Sequence, residues 1–100
     1  MPVPYNTGTI VTGPDLILGT AGVPVQATST AVLNGVIVCA HPDNSGYCYV
    51  GGSNVSLLGN RRGLMLAPGG MSPEPLKIAN LQEIWMDGDT AANSIGFLLI

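Results

Sequence analysis

Short runs of valine, isoleucine and leucine recur along the whole chain, each bounded by glycine, proline, asparagine or aspartate. Good helix formers never accumulate over three turns, because a glycine or proline interrupts almost every long window. This pattern is typical of an all-β protein, in which turn residues separate short strands. The predicted strands cover residues 7–11, 15–19, 31–40, 47–52, 63–70, 74–80, 81–87 and 94–100.

Many short strands without an intervening helix predict an antiparallel β-sandwich or jelly-roll of about seven or eight strands. Residues 31–100 are expected to form this domain, and residues 1–30 an extended N-terminal arm. Within the arm, the two short strands could pair as a hairpin around Thr12. Pro24 should confine the rest of the arm to an edge or unpaired position, since proline cannot donate to a strand ladder.

The arm is too apolar for a free tail, because disordered segments usually have low hydrophobicity. We expect it to add a strand to a neighbouring subunit or to lie along it. Its candidate partner-binding residues are Val3, Tyr5, Ile10, Val11, Leu16 and Leu18.

Two hairpins are predicted within the domain. Residues 41–46 should turn strand 31–40 back onto strand 47–52, which would place Cys39 opposite Cys48. A disulfide is then conceivable, but reduced thiols are expected in a reducing cytoplasm. Asp87-Gly88-Asp89 should form the turn between the last two strands rather than a calcium loop, since no further oxygen ligands follow.

The chain is poor in charge. Charged residues make up 9% of it and apolar residues 46%, whereas a soluble domain normally has about a quarter charged residues. Much of the surface is therefore expected to lie against other protein. The net charge of −3, with Arg61, Arg62 and Lys77 as the only strong cations, argues against a nucleic-acid partner.

No targeting or membrane segment is expected. The first ten residues lack the features of a signal peptide, and no apolar run approaches the ~20 residues that span a bilayer. The protein should be made in the cytoplasm.

The candidate chemical sites favour no enzyme, cofactor or metal. The glycine-rich stretch "YVGGSNVS" (49–56) has no helix or lysine at phosphate-loop spacing and should be a corner. One histidine, His41, cannot supply a metal set or a catalytic triad and should be a turn residue. Arg61 and Arg62 are either solvated loop charges or docking residues for acidic groups on a partner.

The order of motifs from residue 31 onward resembles small β-proteins of tailed-phage virions. The matching features are a strand ending Tyr-Val-Gly-Gly-Ser, a Pro-Gly turn, an Asn-Leu pair and a strand with an aromatic residue. The matching positions are Tyr49 to Ser53, Gly63, Leu66, Pro68, Gly69, Leu76, Ile78, Asn80, Leu81, Ile84 and Trp85.

The resemblance implies a jelly-roll-like virion component, such as a capsid decoration (cement) protein that binds the major capsid protein or other virion proteins. A dimer or trimer is expected, because the apolar segment "GFLLI" (96–100) must be held in a sheet or covered by a neighbour. A tail or head–tail component and a carbohydrate- or receptor-binding β-module are the alternatives.

Overall fold

Short strands account for most of the regular structure in the computed structural model, which describes residues 11–12, 15–57 and 63–100. The strands are β1 Val11–Thr12, β2 Leu16–Ile17, β3 Val25–Gln26, β4 Val36–Ala40, β5 Cys48–Gly51, β6 Leu64–Leu66, β7 Trp85–Gly88 and β8 Ser94–Leu99. A single turn of 3₁₀ helix covers Leu81–Glu83. The described residues thus form the all-β architecture that the sequence predicts.

The first sheet, here sheet A, is built around β8. Strand β4 pairs with β8 along its length, from Val36 opposite Leu99 to Ala40 opposite Ile95. Strands β1 and β2 pair antiparallel with the other side of β8, with Thr12 opposite Leu98. The expectation that β1 and β2 pair with each other as a hairpin is therefore wrong for the described residues, because both run in the same direction along one strand.

The second sheet, sheet B, has the order β3–β7–β5–β6, with all neighbours antiparallel. Strand β3 follows Pro24 directly and lies at the sheet edge, which confirms the edge position predicted from that proline. Because β2 belongs to sheet A and β3 to sheet B, the described part of segment 1–30 is built into the two sheets.

Both predicted hairpins of the domain are wrong. Strands β4 and β7 each precede a turn that crosses to the other sheet, so neither pairs with the strand that follows it. Cys39 lies opposite Gly96 in sheet A, whereas Cys48 lies between Leu66 and Gly88 in sheet B. Both thiols are free.

The segment predicted as a strand at 74–80 makes only isolated bridges, one of which joins Leu76 to Val36. The next residues form the 3₁₀ turn instead of a strand, since Asn80 and Glu83 make a capping box in which each side chain accepts from the backbone of the other end. The predicted strand 31–40 is also shorter in the structure, where β4 covers only Val36–Ala40.

One hydrophobic core lies between the sheets. Burial alternates strictly along β4 and β8, as expected for strands with one face toward a core. The core residues are Leu18, Ala27, Val32, Val36, Val38, Ala40, Cys48, Val50, Leu66, Leu81, Ile84, Met86, Ile95, Phe97 and Leu99.

Candidate interaction surface

The strand residues of sheet A that point away from the core are mostly apolar. Because Val36, Val38 and Ala40 point inward, the alternate residues of β4 point outward, and the same holds along β8. We call this surface the outer face of sheet A. Its apolar and glycine members are Ile17, Ile37, Cys39, Met71, Gly96 and Leu98.

Two large side chains of this face are exposed. Ile17 at one edge is 60% exposed and Met71 at the other edge is 59% exposed, while Ile37, Cys39 and Leu98 between them are half-buried. Asp15 brings a charge to this face, with Oδ1 3.3 Å from the position that a Cβ on Gly96 would occupy. The face can therefore make extensive apolar contact and very few ionic contacts.

Met71 is held at the edge by a segment that extends sheet A beyond β4. The main-chain N–H of Ser72 donates to the Val38 carbonyl at 2.8 Å, and the Ser72 hydroxyl accepts from the Val38 N–H at 3.2 Å. A turn at Pro68-Gly69 starts this segment, with Gly69 at a φ of 80° and the Gly70 N–H donating to Ala67. The Pro68-Gly69 turn, which was predicted from the sequence, thus positions Met71, one of the two exposed apolar side chains.

The outer face of sheet B is different, because two loops are anchored to it. Asp87 is completely buried, and its carboxylate accepts the backbone N–H groups of Gly22 at 2.9 Å, Leu57 at 3.0 Å and Gly88 at 2.8 Å. Asp87 was expected in a hairpin turn, but it lies within β7. Its carboxylate binds the loop before β3, at Gly22, and the loop after β5, at Leu57, to the sheet. Its function here is to satisfy and order backbone groups.

The glycine-rich stretch forms the corner between β5 and the second of these loops. The Val55 N–H donates to the Gly52 carbonyl at 3.0 Å, and the Val55 side chain packs against Gly51 and is 3% exposed. No helix follows within the described residues of this loop, so the geometry of a phosphate cradle is absent there.

The two loops that cross between the sheets hold each other through a reciprocal pair of asparagines. Asn44 donates to the Ser94 carbonyl and accepts from the Ser94 N–H, at 2.8 and 2.9 Å. Asn93 donates to the Ser45 carbonyl and accepts from the Ser45 N–H, at 2.6 and 2.9 Å. Each asparagine side chain therefore makes the two backbone hydrogen bonds that a neighbouring strand would otherwise make with the opposite loop. These bonds fix the two sheets relative to each other.

Cys48 lies beside these loops and is completely buried. Burial, and secondly the negative charge of Asp89, raise the pKa of the Cys48 thiol from 9.0 to about 11. The Asp89 carboxylate accepts from the Tyr47 N–H and from the Tyr49 hydroxyl, both at 3.0 Å. A thiol with a raised pKa is a poor nucleophile at neutral pH, so Cys48 behaves as a core residue.

A cavity of about 400 Å³ opens where the edge of sheet B faces the segment after Leu76. Its walls include Val50, Leu64, Ile78 and Ile84, and its charged members are Lys77 and Glu83. The Glu83 carboxylate is occupied by the N–H groups of Ala79 and Asn80 as part of the capping box. The cavity consequently offers apolar contact rather than a group poised for proton transfer.

The predicted partner-binding residues fall into two groups. Val3, Tyr5, Ile10, Arg61 and Arg62 lie outside the described residues, and their roles stay predictions.

The other three are described. Val11 lies in β1 opposite Leu99, Leu16 is half-buried against the core, and Leu18 is 1% exposed. The Leu18 side chain is thus inside the protein's own core, which differs from the docking position expected for it.

The exposed members of the outer face of sheet A were missed by the sequence reasoning. The available signal was that β4 and β8 are apolar at outward positions as well as inward ones, as at Ile37 and Leu98. A strand that is apolar on both faces is typical of one covered on both sides.

Neither a metal centre nor a membrane helix is found in the described part of the chain. Its His, Cys, Asp and Glu residues do not gather in groups of three or more that could hold an ion. His41 accepts the Asp43 N–H at Nδ1, at 3.1 Å, as expected of a turn residue. No helix among residues 11–12, 15–57 and 63–100 is long and apolar enough to cross a bilayer.

Comparison of the chain with protein families, with curated proteins and with solved structures gives no match.

Proposed function

We propose that this chain is a non-enzymatic structural protein of a virion, a capsid decoration protein with a jelly-roll-like fold, which adheres through the outer face of sheet A. The observation that carries the proposal is the composition of that face. It presents Ile17 and Met71 to solvent across an apolar sheet, whereas two loops are anchored through Asp87 on the outer face of sheet B.

The physical basis of the activity is burial of this face. Completing the burial of two exposed side chains of this size contributes about 1–2 kcal/mol each, and the half-buried residues between them add to this. A protein that binds the assembled shell and not its separated subunits shifts the equilibrium toward the shell. No chemical step is required of such a protein.

The assignment to a virion rests on the resemblance described above. Its matching residues lie in β5, β6, the Pro68-Gly69 turn and the segment from Leu76 to Trp85. These elements supply two strands of sheet B and place Met71 at the edge of sheet A. The predicted resemblance and the apolar face both favour a protein that functions by binding other proteins.

Two exposed methionines provide a matched test. Met71 is 59% exposed on the outer face of sheet A, and Met65 is 45% exposed on the outer face of sheet B, opposite Tyr49. We expect Met71→Glu to reduce co-sedimentation with purified heads of the phage that encodes the chain by roughly tenfold or more, because a carboxylate would be desolvated in the interface. Met65→Glu should bind as the unmodified protein does.

Equal loss of binding in both variants would contradict the assignment of the outer face of sheet A. Failure of the unmodified protein to bind heads would contradict the decoration function itself. The copy number per purified particle, measured by quantitative mass spectrometry, then separates a head protein, present in many copies, from a tail component, present in few.

A further inference from the structure

The bend before β4 contains the dipeptide Asn34-Gly35. Asparagine followed by glycine is chemically labile, because the glycine nitrogen can reach the asparagine side chain without obstruction by a Cβ. We propose that Asn34 is a site of spontaneous deamidation in the folded protein, which converts it to aspartate and isoaspartate and loosens the end of β8.

The reaction needs no other reactant than water. The Gly35 nitrogen loses its proton and attacks Cγ of Asn34, the C–N bond of the amide breaks, and ammonia leaves. A five-membered succinimide results. Water then opens the ring at either carbonyl, which gives aspartate or an isoaspartate whose main chain runs through the side chain.

Within the described part of the chain, neither reacting group is held by a hydrogen bond. The Gly35 N–H has no acceptor, and the Asn34 side chain has no partner. Asn34 is half-buried and lines an open surface cavity of about 490 Å³ together with Lys77 and Glu83, so water can reach the succinimide. Gly35 is itself buried, but its nitrogen makes no hydrogen bond, and the Asn34 side chain beside it borders the open cavity, so attack on Asn34 breaks no native contact of either group.

The other described asparagines lack this combination. The side chains of Asn44, Asn80 and Asn93 each make two or more hydrogen bonds, which hold the amide away from its own backbone. Asn54 is exposed, but a β-branched valine follows it and the Val55 N–H donates to Gly52. Selectivity for Asn34 thus follows from structure as well as from the glycine.

Glycine cannot easily be replaced at this position. Gly35 has a φ of 154°, and a Cβ there would lie 3.1 Å from both the Leu76 carbonyl oxygen and the Pro75 side chain. The geometry of the bend therefore demands the residue that makes Asn34 labile.

The product changes the packing of β8. The Asn34 N–H donates to the Ile100 carbonyl at 2.9 Å, and the Ile100 N–H donates to the Gly35 carbonyl at 3.0 Å. An isoaspartate inserts one more carbon into the main chain between these two bonds, so both cannot keep their present geometry. Leu99, buried in the core, is the neighbour that this change would release.

The test compares folded and urea-unfolded protein during incubation at mildly alkaline pH, with peptide mapping by mass spectrometry and fragmentation that separates isoaspartate from aspartate. In the folded protein, Asn34 should deamidate roughly tenfold or more faster than Asn54, a barrier difference of about 1.4 kcal/mol. Folding should slow Asn34 by less than roughly threefold, but should slow Asn44 and Asn93 by roughly tenfold or more.

Asn34→Gln and Asn34→Ala should both abolish the fast phase of mass gain in the intact protein, and the isoaspartate form should unfold at a lower urea concentration than fresh protein. The proposal is overturned if folding protects Asn34 as strongly as Asn93, if Asn54 reacts as fast, or if the fast phase persists in both variants.

Discussion

Asp87 illustrates how one side chain decides which surface of this protein remains free. A buried carboxylate is costly unless it is hydrogen-bonded, and here three backbone N–H groups satisfy it. Because two of these donors, Gly22 and Leu57, belong to separate loops, their bonds hold both loops on sheet B. The anchored loops leave sheet A as the sheet with exposed large apolar side chains at both edges.

We expect Asp87→Asn to destabilise the protein by about 2–3 kcal/mol. The NH₂ group would replace one of the two carboxylate oxygens, so it would face either the N–H of Leu57 or the N–H groups of Gly22 and Gly88. In either orientation a backbone donor meets another donor and loses its acceptor. Urea unfolding measures the change. Asp43→Asn is the matched control. Because the Asp43 side chain is 92% exposed, this substitution should change the free energy of unfolding by no more than about 0.5 kcal/mol. Equal effects in the two variants would contradict the anchoring role.

The Cys48 thiol should make stability depend on alkaline pH. Its pKa is raised from 9.0 to about 11 in the folded protein, so the unfolded chain loses the thiol proton first as pH rises. The stabilising contribution is complete below pH 9.0 and is lost progressively toward pH 11. Comparison of unmodified protein with Cys48→Ala by urea unfolding should show a stability difference that falls by roughly 2 kcal/mol across this interval.

Cys39 provides a control for the burial of the Cys48 thiol. It is half-buried on the outer face of sheet A, whereas Cys48 has no exposed surface. A maleimide reagent at neutral pH should therefore label Cys39 in native protein and label Cys48 only when the chain unfolds. Labelling of Cys48 at the native rate of Cys39 would show that the core around it opens easily.

At the scale of elements, the reciprocal asparagines explain how two loops can cross between sheets without strand pairing. Asn93→Asp should cost about 2–3 kcal/mol, because a carboxylate oxygen would replace the NH₂ group that donates to the Ser45 carbonyl. Asn54→Asp, the same change at an exposed position, should be nearly neutral. Chemical unfolding of both variants checks this, and a neutral Asn93→Asp would mean that the crossing is held elsewhere.

The positions of most strands could be predicted from sequence, but their pairing could not. Turn residues between two apolar runs mark the ends of β4 and β5 correctly, yet the same turn can close a hairpin or cross between sheets. The choice depends on long-range partners: β4 pairs with β8, and β5 pairs with β7. Those contacts join residues far apart in the chain, and no local pattern encodes them.

The candidate surface was predictable only in part. The low charge indicates a protein-covered surface, but the apolar pattern of the sequence places the candidate residues in the N-terminal arm. Leu18 is apolar because it fills the core, whereas its neighbour Ile17 is apolar and exposed. Successive residues of a strand point to opposite faces of the sheet, so Ile17 and Leu18 lie on different faces. Which of them faces the core is fixed by the register of β2 against β8 rather than by the residues of β2 themselves.

For the whole molecule, the outer face of sheet A should also govern self-association of the free protein, in competition with capsid binding. Self-association is expected from the apolar segment 96–100. Phe97 and Leu99 point into the core, but Leu98 lies on the outer face. Sedimentation velocity should show concentration-dependent formation of a dimer or trimer. Ile17→Lys should weaken it by roughly tenfold or more, because a charge buried in an apolar interface is costly.

Leu33→Lys is the matched control for that experiment. Leu33 is 68% exposed, more than Ile17, but it precedes β4 near Ile100, at the opposite end of β8 from Ser94, the partner of Ile17. The two sites are roughly 20 Å apart along the strand, so an interface centred on the outer face should tolerate the control. If both lysines weaken association equally, general hydrophobicity would account for it. If the unmodified protein stays monomeric at high concentration, the exposed face must be reserved for a different partner, and capture by capsids alone would then test it.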